Sequence, residues 1–391
     1  MIIPDWVRKP VTMLNDAGYE CFVVGGAVRN ALMHRDINDY DLTTNALPEE
    51  MKQVFSGMHM IETGIKHGTL TVMSGGCPVE ITTYRTDGVY TDHRHPDQVV
   101  FTGHLEDDCA RRDFTINGMA WHWDTGILDF YGGRQDIQDH LVRCIGRPRE
   151  RFNEDALRIL RALRFASQFA FTVEKETAAA AHSMKELLGY VSKERIRNEL
   201  LKLLEGRAAG SVFREFTDIF AVFLPFIDPS AAGTLSALLE RSPADPMVRA
   251  ALLIRSSGDP ERVLRDLRFS GHEMTVILNL IRLEDMPMQT RIDLRYILRD
   301  LKTDFDMYLN YRCALDSSLD EVRLRELYDT MLRDHDCCSL KDLSADGSTL
   351  LKHGYRGKEL GRKLNEILTE VIEGRLGNTP EEIERYLAEN A

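Results

Sequence analysis

The chain has 391 residues, 43% apolar, 8% aromatic and 28% charged, a globular composition with enough length for more than one core. Disordered, collagen-like and disulfide-miniprotein classes are excluded. The 49 Lys and Arg against 62 Asp and Glu give a net charge of −13, which excludes a uniformly basic nucleic-acid binder but not a local basic face. Seven cysteines without regular spacing fit a reduced interior, and the start MIIPDWVRKP lacks the apolar core of a secretion signal. The most apolar stretch, residues 219–227, is too short to span a bilayer and contains Pro225, so a cytoplasmic protein with no membrane role is expected.

In chain order, the first 140 or so residues mix β-like runs with turns: CFVV before Gly25-Gly26, DLTT after Tyr40, TLTVM from Thr69 and VEITTY from Val79. These predict a head with a mixed sheet. From about Arg143 the period changes, because DALRILRALRFASQFAF and SKERIRNELLKLLEG place apolar residues at i, i+3, i+4 and i+7. The fold class predicted is α+β, a mixed-sheet head followed by all-α segments, with breaks near Gly206-Arg207 and Leu301 to Thr303. Residues 142–208 carry a net +5 against −18 elsewhere, a cluster that reads either as a solvated face or as a phosphate-facing surface.

The segment CFVVGGAVRNALMHRDINDYDLTT carries the most chemistry. A strand ending in Gly25-Gly26 and entering a helix lets the backbone approach a polyanion, although the same pair also makes a tight turn. It matches neither GxGxxG nor GxxxxGK[ST]. Farther on stand Asp39 and Asp41, which project from one face of a strand while Tyr40 and Leu42 face the buried side. Two carboxylates this close repel unless a cation neutralises them, and hard oxygen ligands suit Mg²⁺ bridging to substrate phosphates. In-line nucleotidyl transfer is the chemistry served, with one ion lowering the pKa of an attacking hydroxyl and a second stabilising the departing pyrophosphate. Glu80, between apolar residues of a β-rich run, is a candidate third acid or an exposed strand carboxylate.

The Gly25-Gly26…Asp39-x-Asp41 signature is similar to that of the DNA-polymerase-beta-like nucleotidyltransferases. Together with TGIKHGTLTV, RRDFTINGMA, EDALRILRALRF and SKERIRNELLKLL, it resembles the class II tRNA nucleotidyltransferases, the CCA-adding enzymes and their poly(A) polymerase relatives, over most of residues 20–205. The resemblance implies a catalytic head at 1–142, a base-selecting neck at 143–208, a body at 209–302 and a tRNA-binding tail at 303–391. It implies that Arg112 and Arg29 bind the triphosphate. By the same resemblance Asp113 and Asn117 would hold the sugar or order the turn. Lys358 and Arg362, on a predicted helix in the tail, would grip the tRNA backbone or simply be solvated. The polar segment 85–100 resembles the loop that helps such pockets switch from CTP to ATP; His93 and His95 within it read better as solvated than as metal ligands.

The helix EDALRILRALRF is also readable from its chemistry. Asp155 and Arg158, three apart, present an acceptor beside a donor, with Arg161 and Arg164 continuing the stripe. Cytosine and adenine both offer an amino donor next to a ring-nitrogen acceptor, whereas uracil and guanine offer a carbonyl and a ring N–H. Such a pair therefore satisfies C and A and leaves unpaired groups against U and G. A surface ion pair is the alternative. The expectation is a Mg²⁺-dependent enzyme that builds the CCA end of tRNA from CTP and ATP without a template. A poly(A) polymerase or a CC-only or A-only enzyme of the same fold is the alternative, and a catalytically silent RNA-binding protein is the reading from a different class. His335-Asp336, lacking partner histidines, does not make a phosphohydrolase site.

Overall fold

Alternation within CFVV sets the layers of the first domain. In the computed structural model, which describes residues 1–87 and 99–390, Cys21 and Val23 enter one apolar cluster and Phe22 and Val24 another, so this strand is covered on both faces. The elements that matter for the site are, in order, α1 (Asp5–Asp16), β1 (Cys21–Val24), α2 (Gly26–Leu32), β2 (Asp41–Thr44), α3 (Pro48–Val54), β3 (Met60–Ile61), β4 (Thr69–Ser74) and β5 (Cys77–Thr83). There follow β6 (Arg85–Asp87), β7 (Val99–Phe101), α4 (Leu105–Ala110), β8 (Met119–His122), β9 (Gly126–Asp129), α5 (Gly133–Gln138) and β10 (Leu141–Val142). Then come α6 (Pro148–Glu154), α7 (Leu157–Phe169), β11 (Thr172–Val173), α8 (Lys175–Met184) and α9 (Lys193–Leu204).

Seven strands form one sheet in the order β3-β4-β5-β2-β1-β8-β9. Only the β2–β5 pair in it is parallel, so the sheet is mixed, as the sequence predicts. On one face α1 buries Val7, Val11 and Leu14 against Val23, Leu42, Val72 and Ile81. On the other, Leu105 and Cys109 of α4 pack with Phe22 and Val24. The β2–β5 register pairs Asp41 with Glu80, and since Leu42, Val79 and Ile81 all belong to the α1 side, both acids lie on the α4 side.

The chain divides into two compact units, Met1–Glu240 and Arg241–Ala391. Within the first, α7 and α9 pack closely enough that Ser167 Oγ donates to the Leu203 carbonyl at 2.6 Å. The second unit is helical, from Pro246–Ile254 to Pro380–Glu389, and toward its end Leu350, Ile367, Ile372, Ile383 and Leu387 share a core. Among the described residues no strand follows β11, in keeping with the change of period near Arg143. Among the described residues no helix is long and apolar enough to cross a membrane.

The run EDALRILRALRF, predicted as one helix, is interrupted. Asp155 adopts an extended backbone (φ −139°, ψ 105°) between α6 and α7, and its Oδ1 accepts the Leu157 N–H at 3.0 Å. A short carboxylate competes with the helical ladder for backbone donors, which separates the two helices at this point.

The α7–α9 contact depends on a residue without a side chain. A Cβ on Gly206 would come 2.0 Å from Ser167 Oγ and 2.5 Å from its carbonyl carbon. Gly206→Ala is expected to cost about 1–3 kcal/mol through overpacking, read as a lower urea midpoint than wild type.

Candidate active site

A recess of about 520 Å³ collects side chains from the sheet and from α7. From the head come Gly25, Gly26, Arg29, Asp39, Asp41, Arg112, Asp113 and Asn117; from the α6–α7 region come Asp155, Arg158, Arg161 and Arg164. Twelve of the positions singled out in the sequence thus meet at one place, although more than 130 residues separate Gly25 from the last of them. Glu80 does not line the recess; it is the cross-strand neighbour of Asp41 and acts on it through charge. Lys358 and Arg362 lie in the other unit, exposed on helix Gly357–Ile372, where Arg362 is 3.5 Å from Glu359. Their neighbour Lys363 is buried against Tyr355 and Tyr386 and pairs with Glu366 at 2.8 Å.

Gly25 is required where β1 meets α2. Its φ is +68°, and a Cβ would stand 3.1 Å from Arg112 Nη1. Gly26 is less constrained, since a Cβ there would sit at ordinary contact distance from Arg29. β2 begins at Asp41, so Asp39 precedes the strand instead of sharing it as expected, yet both acids are exposed to the recess while Tyr40 and Leu42 are buried behind them. Although solvent reaches Asp41, surrounding protein raises its pKa, and the like charges of Asp39 and Glu80 add to that, partly offset by Arg112. This is a site whose charge a cation would relieve. Among the described residues no three His, Cys, Asp or Glu side chains are gathered tightly enough to enclose an ion unaided. The paired carboxylates therefore fit a hard divalent ion that completes its shell with phosphate oxygens and water.

Each of these arginines is held by a partner, and two of the partners, Asp108 and Glu199, are not among the positions singled out in the sequence. Fully buried Asp108 of α4 binds Arg111 at 2.7 Å and Arg112 at 3.1 Å, and Thr43 Oγ1 of β2 lies 3.3 Å from it. Burial pushes the Asp108 pKa up, and the two guanidiniums outweigh that and hold it below the usual range. Arg112 Nε is buried without an acceptor among the described residues, an unmade bond that a phosphate oxygen would satisfy. Asp113 accepts from Arg161 Nε at 2.8 Å, Asn117 Nδ2 at 2.9 Å and the Phe114 N–H at 2.8 Å, so its oxygens order the turn. Asn117 in turn receives Arg29 Nη1 at 2.5 Å. Arg164 lies 3.2 Å from Glu199 of α9.

The predicted pairing of Asp155 with Arg158 is not what forms. The break at Asp155 removes the shared helical face, and Asp155 pairs with Arg195 of α9 at 2.7 Å while Arg158 binds Glu154 at 2.6 Å and the Arg111 carbonyl at 3.0 Å. Both side chains nevertheless line the same recess. Nor is the net +5 segment a bare basic face, because Arg143, Arg151, Arg158, Arg164 and Arg195 all meet carboxylates. Asp108 had a signal, since it precedes Arg111 and Arg112 by three and four residues, whereas Glu199 had none, because its partner Arg164 lies on another helix. The segment 85–100 is described only at β6 and β7; His93 and His95 lie outside the described residues. Asp336, of the His335-Asp336 pair, is bound by Arg291 at 2.8 Å and Arg295 at 2.7 Å.

Residues 21–143 match the family model "Poly A polymerase head domain", 170–230 match "Probable RNA and SrmB- binding site of polymerase A", and 248–387 match tRNA nucleotidyltransferase domain 2. The chain is 36% identical to the CCA-adding enzyme of Lactobacillus helveticus, over 98% of each chain. It belongs to the CCA-adding enzyme family. The CCA-adding enzyme of Bacillus stearothermophilus, crystallised with CTP, is 27% identical, with a TM-score of 0.82 over 99% of this chain and 98% of that one. Thermotoga maritima CCA-adding enzyme, solved with tRNA, is 19% identical and shares the fold, with a TM-score of 0.71 over 100% of this chain and 97% of that one.

Asp113 gives a pH test. Burial alone would raise its pKa, but Arg161 and Asn117 hold it at about 2. A carboxyl depressed in the folded state stabilises above its unfolded value, near 4, and that contribution is lost as the pH falls toward 2. The stability gap between wild type and Asp113→Asn, measured by urea unfolding, is expected to be constant above about pH 5 and to close toward pH 2.

Proposed function

We propose that this chain builds the CCA end of tRNA from CTP and ATP without a nucleic-acid template. The observation that carries this is the single recess in which paired carboxylates face a stripe of arginines, in a chain similar over 98% of its length to a CCA-adding enzyme. The division into head, neck, body and tail at 1–142, 143–208, 209–302 and 303–391 is part of the reading, as is contact of Lys358 and Arg362 with the tRNA backbone, where they would position without specifying sequence.

Asp39 and Asp41 would hold Mg²⁺, with Glu80 adding negative potential from the next strand. Bound by these two carboxylates, Mg²⁺ would supply the acidification of the attacking hydroxyl and the positive charge that the departing pyrophosphate needs, the chemistry of a two-metal mechanism. Asp39 and Asp41 orient the primer's 3′-hydroxyl for in-line attack on the α-phosphorus. Arg112, braced by Asp108, and Arg29, braced by Asn117, bind the triphosphate through forked donors and stay charged throughout. The protein's part is orientation and fixed charge. Asp155 and Arg158 read the base edge as acceptor and donor. Arg195 and Glu154 hold them apart, so the two act as separately anchored groups. Asp113, Asn117 and Arg161 fix the turn that carries Arg112.

A tRNA lacking CCA is incubated with each nucleoside triphosphate singly and together. C addition from CTP alone, then one A, is expected; unlimited A addition to generic RNA would overturn the reading. Asp39→Ala is expected to abolish pyrophosphate release. Asp155→Ala and Arg158→Ala should admit UTP or GTP, and unaltered selectivity would place base reading elsewhere. For Asp108→Asn, the affinity for CTP is expected to drop about tenfold while that for cytidine stays unchanged, because the loss acts on phosphate binding; equal loss for both would refute the bracing role.

A further inference from the structure

A second recess, of about 400 Å³, shares Arg29 with the first but is otherwise built from different residues, among them Asn30, Arg35, Phe169, Glu205 and Arg207. Its three guanidiniums come from α2, from the turn after α2 and from the chain just beyond α9. They differ from the arginines of the first recess in their partners. Arg112, Arg158, Arg161 and Arg164 each face a carboxylate. Arg29 instead binds the amide oxygens of Asn117 and Asn30, at 2.5 and 2.9 Å. Among the described residues the Arg35 guanidinium donates to the Gln168 carbonyl, at 3.4 Å, and that of Arg207 to the Phe169 carbonyl, at 2.6 Å.

Among the described residues none of the three guanidiniums is ion-paired with a carboxylate, and Glu205 is the one acid in the lining. Phe169 holds the group together. The Arg29 and Arg35 guanidiniums lie 4.8 and 4.9 Å from its ring centroid, which restrains both before any ligand arrives. Burial lowers the Arg29 pKa to about 10, and Arg164, Arg161 and Arg35 contribute by repulsion that Asp113 only partly offsets. Positive charge is thus left uncompensated beside the reaction recess, on a surface where Arg35 and Arg207 are exposed.

We propose that this recess binds a backbone phosphate of the RNA strand whose 3′ end is being extended. The inference rests on the function proposed above. A strand phosphate fits better than the nucleotide triphosphate, because the first recess already has its own arginines for that group and the second is open to solvent. Its sharing of Arg29 would couple placement of the primer to binding of the nucleotide. Contacts of this kind fix register and carry no sequence preference.

The test uses wild type, Arg35→Gln, Arg207→Gln and the double variant, with a tRNA lacking CCA as probe. The tRNA Kd is measured across a salt series, and KM for CTP at saturating tRNA. The double variant is expected to bind tRNA about tenfold more weakly at low salt, with the slope of log affinity against log salt reduced by about 0.7–0.9 for a lost phosphate contact, and with KM for CTP unchanged. Replacing single phosphates near the tRNA 3′ end with methylphosphonates should weaken wild type at one position and leave the double variant no weaker there than with unmodified tRNA. Arg35→Lys, which keeps the charge, should recover most of the affinity, and matched melting temperatures exclude misfolding. An unchanged salt slope overturns the inference, as does a loss of CTP or pyrophosphate affinity in step with tRNA, which would make this a nucleotide site. If wild type adds neither C nor A, the proposed function fails; if it adds both while tRNA binding ignores Arg35 and Arg207, only this inference fails.

Discussion

Six arginines and four carboxylates share the walls of one recess, and repulsion among like charges on each side is the constraint that the surrounding structure answers. The two sides answer it differently. Behind the arginines stand buried acids: Asp108 under Arg111 and Arg112, Asp113 under Arg161, Glu199 under Arg164. Removing one such acid would leave a buried cation unpaired, which costs more than the pair contributes. Asp39 and Asp41 have no comparable backing. Arg112 offsets only part of what burial and the like charges of Asp39 and Glu80 impose on Asp41. The result is a braced cationic wall suited to phosphates opposite an unrelieved anionic pair suited to a divalent ion.

The fold delivers these groups through short, stiff connections. Asp41 begins a buried strand held between β1 and β5, so its backbone is fixed on both sides. Arg111 and Arg112 follow α4 directly, and Thr43 on β2 points at Asp108 within that helix, tying the acid-bearing strand to the arginine-bearing turn. The α7 stripe is positioned by α9, where Gly206 lets the chain pass against Ser167 and where Arg195 and Glu199 reach back to Asp155 and Arg164. A segment that looks like an ordinary amphipathic helix therefore serves as a scaffold for the base-reading residues.

Composition, period and motif spacing determined much of this protein unaided. The alternation in CFVV and DLTT specifies strands, the change near Arg143 specifies helices, and Gly25-Gly26 with Asp39-x-Asp41 marks the chemistry, because each of these is a local pattern set by backbone geometry. What tertiary structure alone decided is who pairs with whom. Asp155 and Arg158, three apart, invite pairing with each other, yet both find partners elsewhere once Asp155 takes the Leu157 N–H and ends the helix. Glu80 is placed beside Asp41 by strand register but outside the recess. Arg35 and Arg207 carry no motif at all and gain meaning only where Phe169 and Arg29 meet them. Charge partners are chosen by distance in space, burial and helix breaks, and linear spacing constrains those only within a single unbroken element.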